Sequence, residues 1–145
     1  MLVSHILADK GDLVMTILDT APLAAAAKAL ADEHIGALVV TDASGRLAGV
    51  VSEREVVRAL ARHGAAALNR RVRDVMAAAT TVQPQDTVRH AMTIMTERRA
   101  RHLPVVNGTR VVGLLSIGDV IKSRLSEKEA ENRVLQDIAR WPHAA

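Results

Sequence analysis

The sequence contains one motif twice. Residues 113–119 read GLLSIGD, and residues 49–55, which lie 64 positions earlier, read GVVSERE. In each copy an apolar strand pattern ends at a serine, and the third residue after that serine is acidic. A serine at a helix N-cap accepts a hydrogen bond from the backbone N–H three residues on, and an acidic side chain there is favoured by the helix dipole. Each copy therefore predicts a strand followed by a capped helix.

The repetition extends beyond the motif. At an offset of 65, residues 35–40 align with residues 100–105, and the offset becomes 64 after the turn segments 42–46 and 107–110. Two units of about sixty residues are each too small to bury much apolar surface alone. We therefore expect the two units to pack face to face as one domain.

Hydrophobic periodicity predicts the order β, α, β, β, α in each unit. Thr20 and Asp86 are expected to cap the first helix of each unit, and residues 80–82 to form the opening strand of the second. Ser126 begins an apparent capping box, which predicts a separate C-terminal helix. The predicted fold class is α/β (α+β), with two βαββα repeats packed with pseudo-two-fold symmetry, plus a C-terminal helix. The predicted segments are an N-terminal arm (1–13), repeat 1 (14–64), a linker (65–79), repeat 2 (80–125), and a C-terminal helix and tail (126–145).

Composition excludes several classes of protein. The chain has 145 residues, of which 49% are hydrophobic, but it has no Phe or Tyr and a single Trp, so its core must be aliphatic. The absence of Cys excludes disulfides, thiol catalysis and Cys-ligated zinc, and the histidines show no metal-ligand spacing. No apolar run is long enough for a membrane span, and the first residues lack the pattern of a secretory signal. We therefore expect a cytoplasmic protein with no metal and no membrane contact.

The formal net charge of +3 raises the question of nucleic acid. Basic residues cluster at positions 70–73 and 98–102. Single-strand and RNA binders usually combine such charges with aromatic side chains on which bases stack, and this chain has almost none. This composition argues against polymeric nucleic acid and favours solvated basic surfaces.

The repeated pattern resembles the tandem cystathionine beta-synthase (CBS) domain pair, also called a Bateman module, over residues 14–125. The whole chain resembles small stand-alone bacterial members. The resemblance implies two repeats packed by their sheets, with two clefts between them that bind adenosine-containing ligands such as AMP, ADP, ATP, NAD(H) or S-adenosylmethionine. It implies no catalytic cofactor.

The family motif is Gly, two apolar residues, Ser or Thr, two variable residues and Asp. The second repeat matches it fully, whereas the first has Glu55 at the acidic position. An ionised carboxylate can accept charge-assisted hydrogen bonds from both ribose hydroxyls, and a helix N-terminus favours phosphate. The resemblance implies ribose contacts at Asp119, Ser116, Glu55 and Ser52, phosphate contacts at Arg101, His102, Lys10 and Lys122, with Arg58 as a further candidate, and an adenine pocket of Thr16, Thr81, Val82, Leu103, Pro104, Val112 and Gly113. Arg101 and His102 are expected to complete the Asp119 site and to make it the stronger one.

We therefore expect a non-catalytic regulatory module that binds AMP, ADP, ATP or NAD(H) between its repeats and senses energy or redox state for an unknown regulated protein. Residues 24–31 and 56–61 are candidate contacts of a homodimer. The alternatives are a ligand-free structural or dimerisation module and, with less support, a nucleic-acid-binding protein. An enzyme is disfavoured because no nucleophile stands with a base.

Overall fold

The computed structural model describes residues 1–11 and 13–140. Asp12 of the predicted arm and residues 141–145 of the predicted tail lie outside the described residues. In chain order the elements are α1 (Val3–Lys10), β1 (Thr16–Leu18), α2 (Leu23–Asp32), β2 (Ala37–Thr41), β3 (Leu47–Ser52), α3 (Glu53–His63), a 3-10 helix (Gly64–Asn69), α4 (Val72–Val75), α5 (Val88–Arg98), β4 (His102–Asn107), β5 (Arg110–Ser116) and α6 (Ile117–Arg140). The predicted mixed α/β class is confirmed.

Repeat 1 forms a complete three-stranded sheet. β1 pairs in parallel with β2, and β2 pairs antiparallel with β3 through a turn in which Gly45 has a positive φ of 83°. Glycine suits this position because it has no Cβ to oppose a left-handed backbone. The two consecutive strands predicted on either side of the turn segment 42–46 therefore form a hairpin.

Repeat 2 keeps the antiparallel β4–β5 hairpin but not its opening strand. The predicted strand at residues 80–82 was wrong, because only Val82 makes a bridge, in parallel with Val105. Pro104 gives the reason. Its equivalent in repeat 1, Val39, donates its N–H to the carbonyl of Met15 at 3.1 Å. Proline has no N–H to donate, so the parallel pairing cannot extend in that direction.

Each repeat is completed by the segment that precedes the other one. Val3 and Ile6 of α1 are buried in the aliphatic core of repeat 2, and Val72 of α4 is buried in the core of repeat 1. Burial of each such side chain stabilises the fold by roughly 1.5–3 kcal/mol. The exchange makes the two repeats one cooperative unit, because neither core closes without the chain that leads into its neighbour.

The two segments that precede the repeats and pack against the opposite one, α1 with Met1 and Leu2 and α4 with Arg70 and Arg71, are called the exchanged segments. They also determine where α2 and α5 begin. Leu23 N donates to the carbonyl of Arg70 at 2.8 Å, and Val88 N donates to the carbonyl of Met1 at 2.9 Å. The residues before these helices, Pro22 and Thr87, are extended and form isolated bridges with the same exchanged segments. Backbone carbonyls of the exchanged segments thus accept hydrogen bonds from N–H groups at the start of α2 and α5. From the sequence alone, only side-chain caps would be expected to satisfy these groups.

Two predicted caps were therefore wrong. Pro22, not Thr20, is the N-cap of α2, and Thr87, not Asp86, is the N-cap of α5. Thr87 Oγ1 accepts from His90 N at 3.0 Å, while the carboxylate of Asp86 accepts from Gln83 N at 2.7 Å and closes the preceding turn.

The predicted C-terminal helix exists, but it does not begin at Ser126. α6 runs without interruption from Ile117 to Arg140, so Ser126 lies inside it and caps nothing. The capping box was a false signal because an N-cap needs an extended backbone, and no Gly or Pro near Ser126 interrupts the helix. On the outer half of α6, Val134, Leu135 and Ile138 are exposed.

Candidate functional site

Both motif serines cap helices, as predicted. In repeat 1, Glu55 Oε2 accepts from Ser52 N at 3.1 Å and from Ser52 Oγ. In repeat 2, Asp119 Oδ2 accepts from Ser116 N at 2.9 Å, and Asp119 N donates to Ser116 Oγ at 3.1 Å. Each capping box fixes a carboxylate at the N-terminus of a helix, where the helix dipole favours negative charge.

Strand register places the start of each capped helix beside the start of the first strand of its hairpin. Ser52 pairs with Ala37 at the end of the first hairpin, and Glu53 N donates to the carbonyl of Gly36 at 3.2 Å. In repeat 2, Ile117 N donates to the carbonyl of Arg101 at 2.9 Å. The residue before the first strand of each hairpin therefore contacts the helix that follows the hairpin.

A cleft of about 790 Å³ opens between the repeats, within the usual range for small-molecule sites. The N-terminal part of α3, the end of the linker, and the turn between α5 and β4 surround it. Its lining residues are Gly36, Val50, Ser52, Glu53, Arg54, Glu55, Val57, Arg58, Ala77, Ala78, Thr80, Arg98, Arg99, Ala100, Arg101 and His102.

The structure groups the predicted residues differently from the sequence. Arg101 and His102 line the cleft together with Ser52 and Glu55, the motif residues of the other repeat, whereas Asp119 is not among the lining residues. The expected grouping followed sequence proximity, since both basic residues belong to the repeat of Asp119. The packing of the repeats instead turns the α5–β4 turn toward α3.

His102 lies close to the junction of the repeats. A Cβ added at Gly36 would stand 3.3 Å from His102 Nε2, so any larger residue there would require the imidazole to shift by a few tenths of an ångström. Burial lowers the pKa of His102, Glu55 and Asp119 oppose that shift, and Lys10 and Arg101 add to it. The net effect keeps the imidazole neutral more readily than in water, which leaves it able both to donate and to accept a hydrogen bond.

Asp119 has a partner within the chain. Lys10 Nζ, at the end of α1, stands 2.7 Å from Asp119 Oδ2 and donates to the carbonyl of Leu114 at 2.6 Å. Burial alone would raise the pKa of the Asp119 carboxyl, but the Lys10 ammonium and the hydrogen bonds from Ser116 outweigh it and hold that pKa below its usual range. Two predicted site residues thus contact each other directly, as an ion pair.

None of the residues predicted for the adenine pocket is among the lining residues of this cleft. Val82 and Leu103 are buried in the core of repeat 2, and Pro104 is fully buried as well. Gly113 has Leu7 packed over its Cα, so that an added Cβ would stand 2.6 Å from Leu7 Cδ2. The remaining residues that the resemblance implied are placed as follows: Val112 packs against the core of repeat 2, Thr16 in β1 and Thr81 are exposed, and Lys122 is exposed on α6.

Sequence reasoning missed three arginines of the lining, Arg54, Arg98 and Arg99. The sequence signal is the basic cluster at 98–102, which composition alone assigns to a solvated surface. Within the described ranges, no helix is long and apolar enough to cross a membrane, and no group of three His, Asp or Glu side chains is arranged to hold a metal ion.

Comparison with known proteins gives consistent matches. The CBS domain family model matches residues 11–62 and 72–126. A CBS-domain-containing protein from Agrobacterium tumefaciens is 40% identical, with 85% of this chain and 92% of that chain covered and a TM-score of 0.81. A CBS domain protein from Pyrobaculum aerophilum, whose structure was solved in complex with AMP, is 30% identical, with 82% and 89% covered and a TM-score of 0.75.

A longer relative matches over part of its length. The mitochondrial CBS domain-containing protein CBSX3 of Arabidopsis thaliana is 34% identical over 111 residues, which is 73% of this chain and 54% of that protein. The chain thus spans about half the length of this curated relative. Together, the doubled family match, the shared fold and the two capped motifs show that this chain belongs to the CBS-domain family and is a CBS domain pair.

Proposed function

We propose that this chain is a non-catalytic regulatory module that binds an adenosine-containing ligand, AMP, ADP, ATP or NAD(H), in the cleft between its repeats. Occupancy would report energy or redox state to a regulated protein. The AMP complex of the Pyrobaculum aerophilum relative supports this ligand class.

One observation carries the proposal: the cleft joins a capped carboxylate of one repeat to basic groups of the other. Glu55 at the N-terminus of α3 would accept hydrogen bonds from the ribose hydroxyls, while Arg101 would donate to phosphate oxygens. A ligand that bridges these groups contacts both repeats. Its binding energy therefore depends on their relative position, which is the condition for converting occupancy into a conformational signal.

Calorimetry on the Glu55→Ala variant tests this proposal. Loss of an ionised partner from buried ribose hydroxyls typically costs about 1.5–3 kcal/mol, so we expect roughly a 10- to 150-fold weaker affinity for AMP or ATP. The matched control is Thr87→Ala, which removes a different helix cap, the bond to His90 N. This control should lower stability by about 1 kcal/mol without changing affinity. Equal affinities in all three proteins would leave Glu55 as a cap only.

The Asp119 site is proposed as a second ligand position that is regulated by Lys10. Its Oδ2 atom is engaged by the ammonium group, so a ribose would have to use the remaining oxygen or displace the lysine. We expect the Glu55 cleft to bind first, because no ion pair restrains its carboxylate within the described chain. This order reverses the one expected from the sequence, which assigned Arg101 and His102 to the Asp119 site.

A homodimer is proposed from exposed apolar side chains on α3 and α6. Val57 and Leu60 on α3, and Ile121 and Leu125 on α6, are exposed by 63%, 38%, 53% and 59%. Val57 and Ile121 occupy equivalent positions of the two repeats, so pseudo-symmetry would bring both helices to one face. Association of two such faces would remove this apolar surface from water.

A ligand-free dimerisation module is the competing function. A thermal-shift screen separates the two, because a ligand at 100 times its dissociation constant should stabilise the folded chain by about 2.7 kcal/mol. Mass spectrometry of small molecules released from the purified protein would identify a natural ligand. A dimer that gains no stability from any adenosine compound would support the structural role instead. The regulated partner and a cytoplasmic location stay predictions.

A further inference from the structure

The cleft concentrates positive charge. Its lining has five arginines and two glutamates, which gives a net charge of +3 with His102 neutral, equal to the formal net charge of the whole chain. The arginines are Arg54, Arg58, Arg98, Arg99 and Arg101. The rest of the chain therefore has a formal net charge close to zero, and the excess of positive charge lies at one cleft. Its five arginines are exposed to solvent, so they attract anions over a distance that salt shortens.

No described carboxylate of the chain forms an ion pair with these arginines. The ion pairs within the described residues join Lys10 to Asp119, Lys28 to Asp32, Arg124 to Glu127 and Lys128 to Glu131, and none involves a cleft arginine. The carboxylate of Glu55 is already bonded to Ser52. Like charges that share one cleft repel one another, so an anion that enters it relieves this repulsion as well as forming new bonds.

Arg99 is held in a conformation that side chains rarely adopt. It ends α5 in the left-handed region, with φ 52° and ψ 36°, where Gly or Asn is preferred. The equivalent residue of repeat 1, His34, has the same φ of 52° but does not line the cleft. Both repeats therefore have this backbone conformation, but only in repeat 2 does the residue that adopts it line the cleft.

We propose that this cleft selects its adenosine ligand by the number of phosphates, preferring ATP to ADP and ADP to AMP, and disfavouring the cationic S-adenosylmethionine. The inference rests on the proposed adenosine site and specifies its ligand. Each guanidinium presents a planar fork of donors that matches phosphate oxygens, and five forks exceed what one phosphate can use. A sulfonium cation would meet the same net charge of +3 and be repelled.

Calorimetry on the full chain with ATP, ADP, AMP and S-adenosylmethionine, in magnesium-free buffer at low salt, tests the ranking. We expect the affinity to rise at least about tenfold from AMP to ATP, which is a difference of about 1.4 kcal/mol. The affinity for ATP should also fall more steeply with added salt than that for AMP. Equal affinities for AMP and ATP, or tighter binding of S-adenosylmethionine than of ATP, would overturn the inference.

The outcomes separate this inference from the proposed function. Binding of all four compounds with equal affinity leaves the adenosine site standing and removes only the charge selection. Inorganic tripolyphosphate provides the complementary probe. If it binds as tightly as ATP, the phosphate selection stands and adenosine recognition fails. If nothing binds, both proposals fail.

Variants of two cleft arginines test whether the preference for ATP over AMP depends on this cleft. Arg99→Asn keeps a residue that tolerates the left-handed backbone, and Arg101→Gln removes the charge but keeps a polar side chain. The double variant should bind ATP at least about tenfold more weakly and lose most of its preference for ATP over AMP. His34→Asn, at the same backbone geometry, and Arg133→Gln on α6 should leave both affinities unchanged. An unchanged ATP to AMP ratio in the double variant, at unchanged melting temperature, would refute the role of these arginines.

Discussion

The glycines that open the two motifs differ in what covers them, and this difference predicts unequal effects of one substitution. A Cβ at Gly49 would stand 2.6 Å from the carbonyl oxygen of Ala77 and 2.8 Å from Met76 Sδ. A Cβ at Gly113 would stand 2.6 Å from Leu7 Cδ2 and 2.9 Å from Leu7 Cδ1. The first obstacle includes backbone, whereas the second is the end of a flexible side chain.

The magnitudes follow from these contacts. Ala77 exchanges two hydrogen bonds with Val50, at 3.0 Å and 2.9 Å, so relief of the clash at Gly49 must move or break this bridge. Overpacking of about 1–3 kcal/mol and weakening of bonds worth about 1 kcal/mol each give a loss of about 2–4 kcal/mol for Gly49→Ala. At Gly113, a rotamer change of Leu7 costs about 0.5–1.5 kcal/mol, and alanine recovers about 0.4–1 kcal/mol through the unfolded state. We expect a net effect of Gly113→Ala on stability between a gain of about 0.5 kcal/mol and a loss of about 1 kcal/mol.

Urea unfolding of the two single variants, and of Gly113→Ala combined with Leu7→Ala, measures these differences. Leu7→Ala should destabilise the Gly113→Ala background less than it destabilises the wild type, because it removes the crowded atoms. Met76→Ala should not fully rescue Gly49→Ala, since the Ala77 carbonyl remains. A Gly113→Ala loss as large as that of Gly49→Ala, or additive behaviour of Leu7 and Gly113, would refute this account of the motif glycines.

Three further expectations concern charge and assembly. Lys10→Met should lower stability by only about 0.5–1 kcal/mol near neutral pH, because the side chains of Lys10 and Asp119 are 35% and 22% exposed and solvent screens the pair. The difference in stability from the wild type should vanish as pH falls below about 4 and through the lowered pKa of Asp119, where the carboxyl becomes protonated. Burial lowers the pKa of His102, so the unfolded state binds more protons, and the stability of the wild type should fall as pH drops through about 6.5. His102→Gln should flatten this dependence of stability on pH, and an identical slope in both proteins would contradict the prediction. Sedimentation should show a dimer at tens of micromolar that Leu60→Glu and Ile121→Glu each dissociate, and a wild-type monomer at about these concentrations would count against the proposed interface.

The sequence determined much of the local structure. The duplicated motif predicted both capped helices, and Ser52 and Ser116 do cap them. The turn segments 42–46 and 107–110 predicted two consecutive strands in each repeat, which pair as hairpins, and the repeated pattern predicted the family. These features depend on contacts between residues close in sequence, or on the turn that joins two adjacent strands, so one chain segment contains the whole signal.

Which residues share a site depends on how the two repeats pack. Lys10 meets Asp119 across 109 positions, and Arg101 lines a cleft with Glu55 of the other repeat. Neither contact leaves a periodic signal, because it depends on how two folded units pack and not on the pattern within either one. The exchanged segments likewise supply backbone partners to helices far away in sequence, which moved the caps from Thr20 and Asp86 to Pro22 and Thr87. Local pattern thus determined the elements of this protein, and long-range packing determined its cleft.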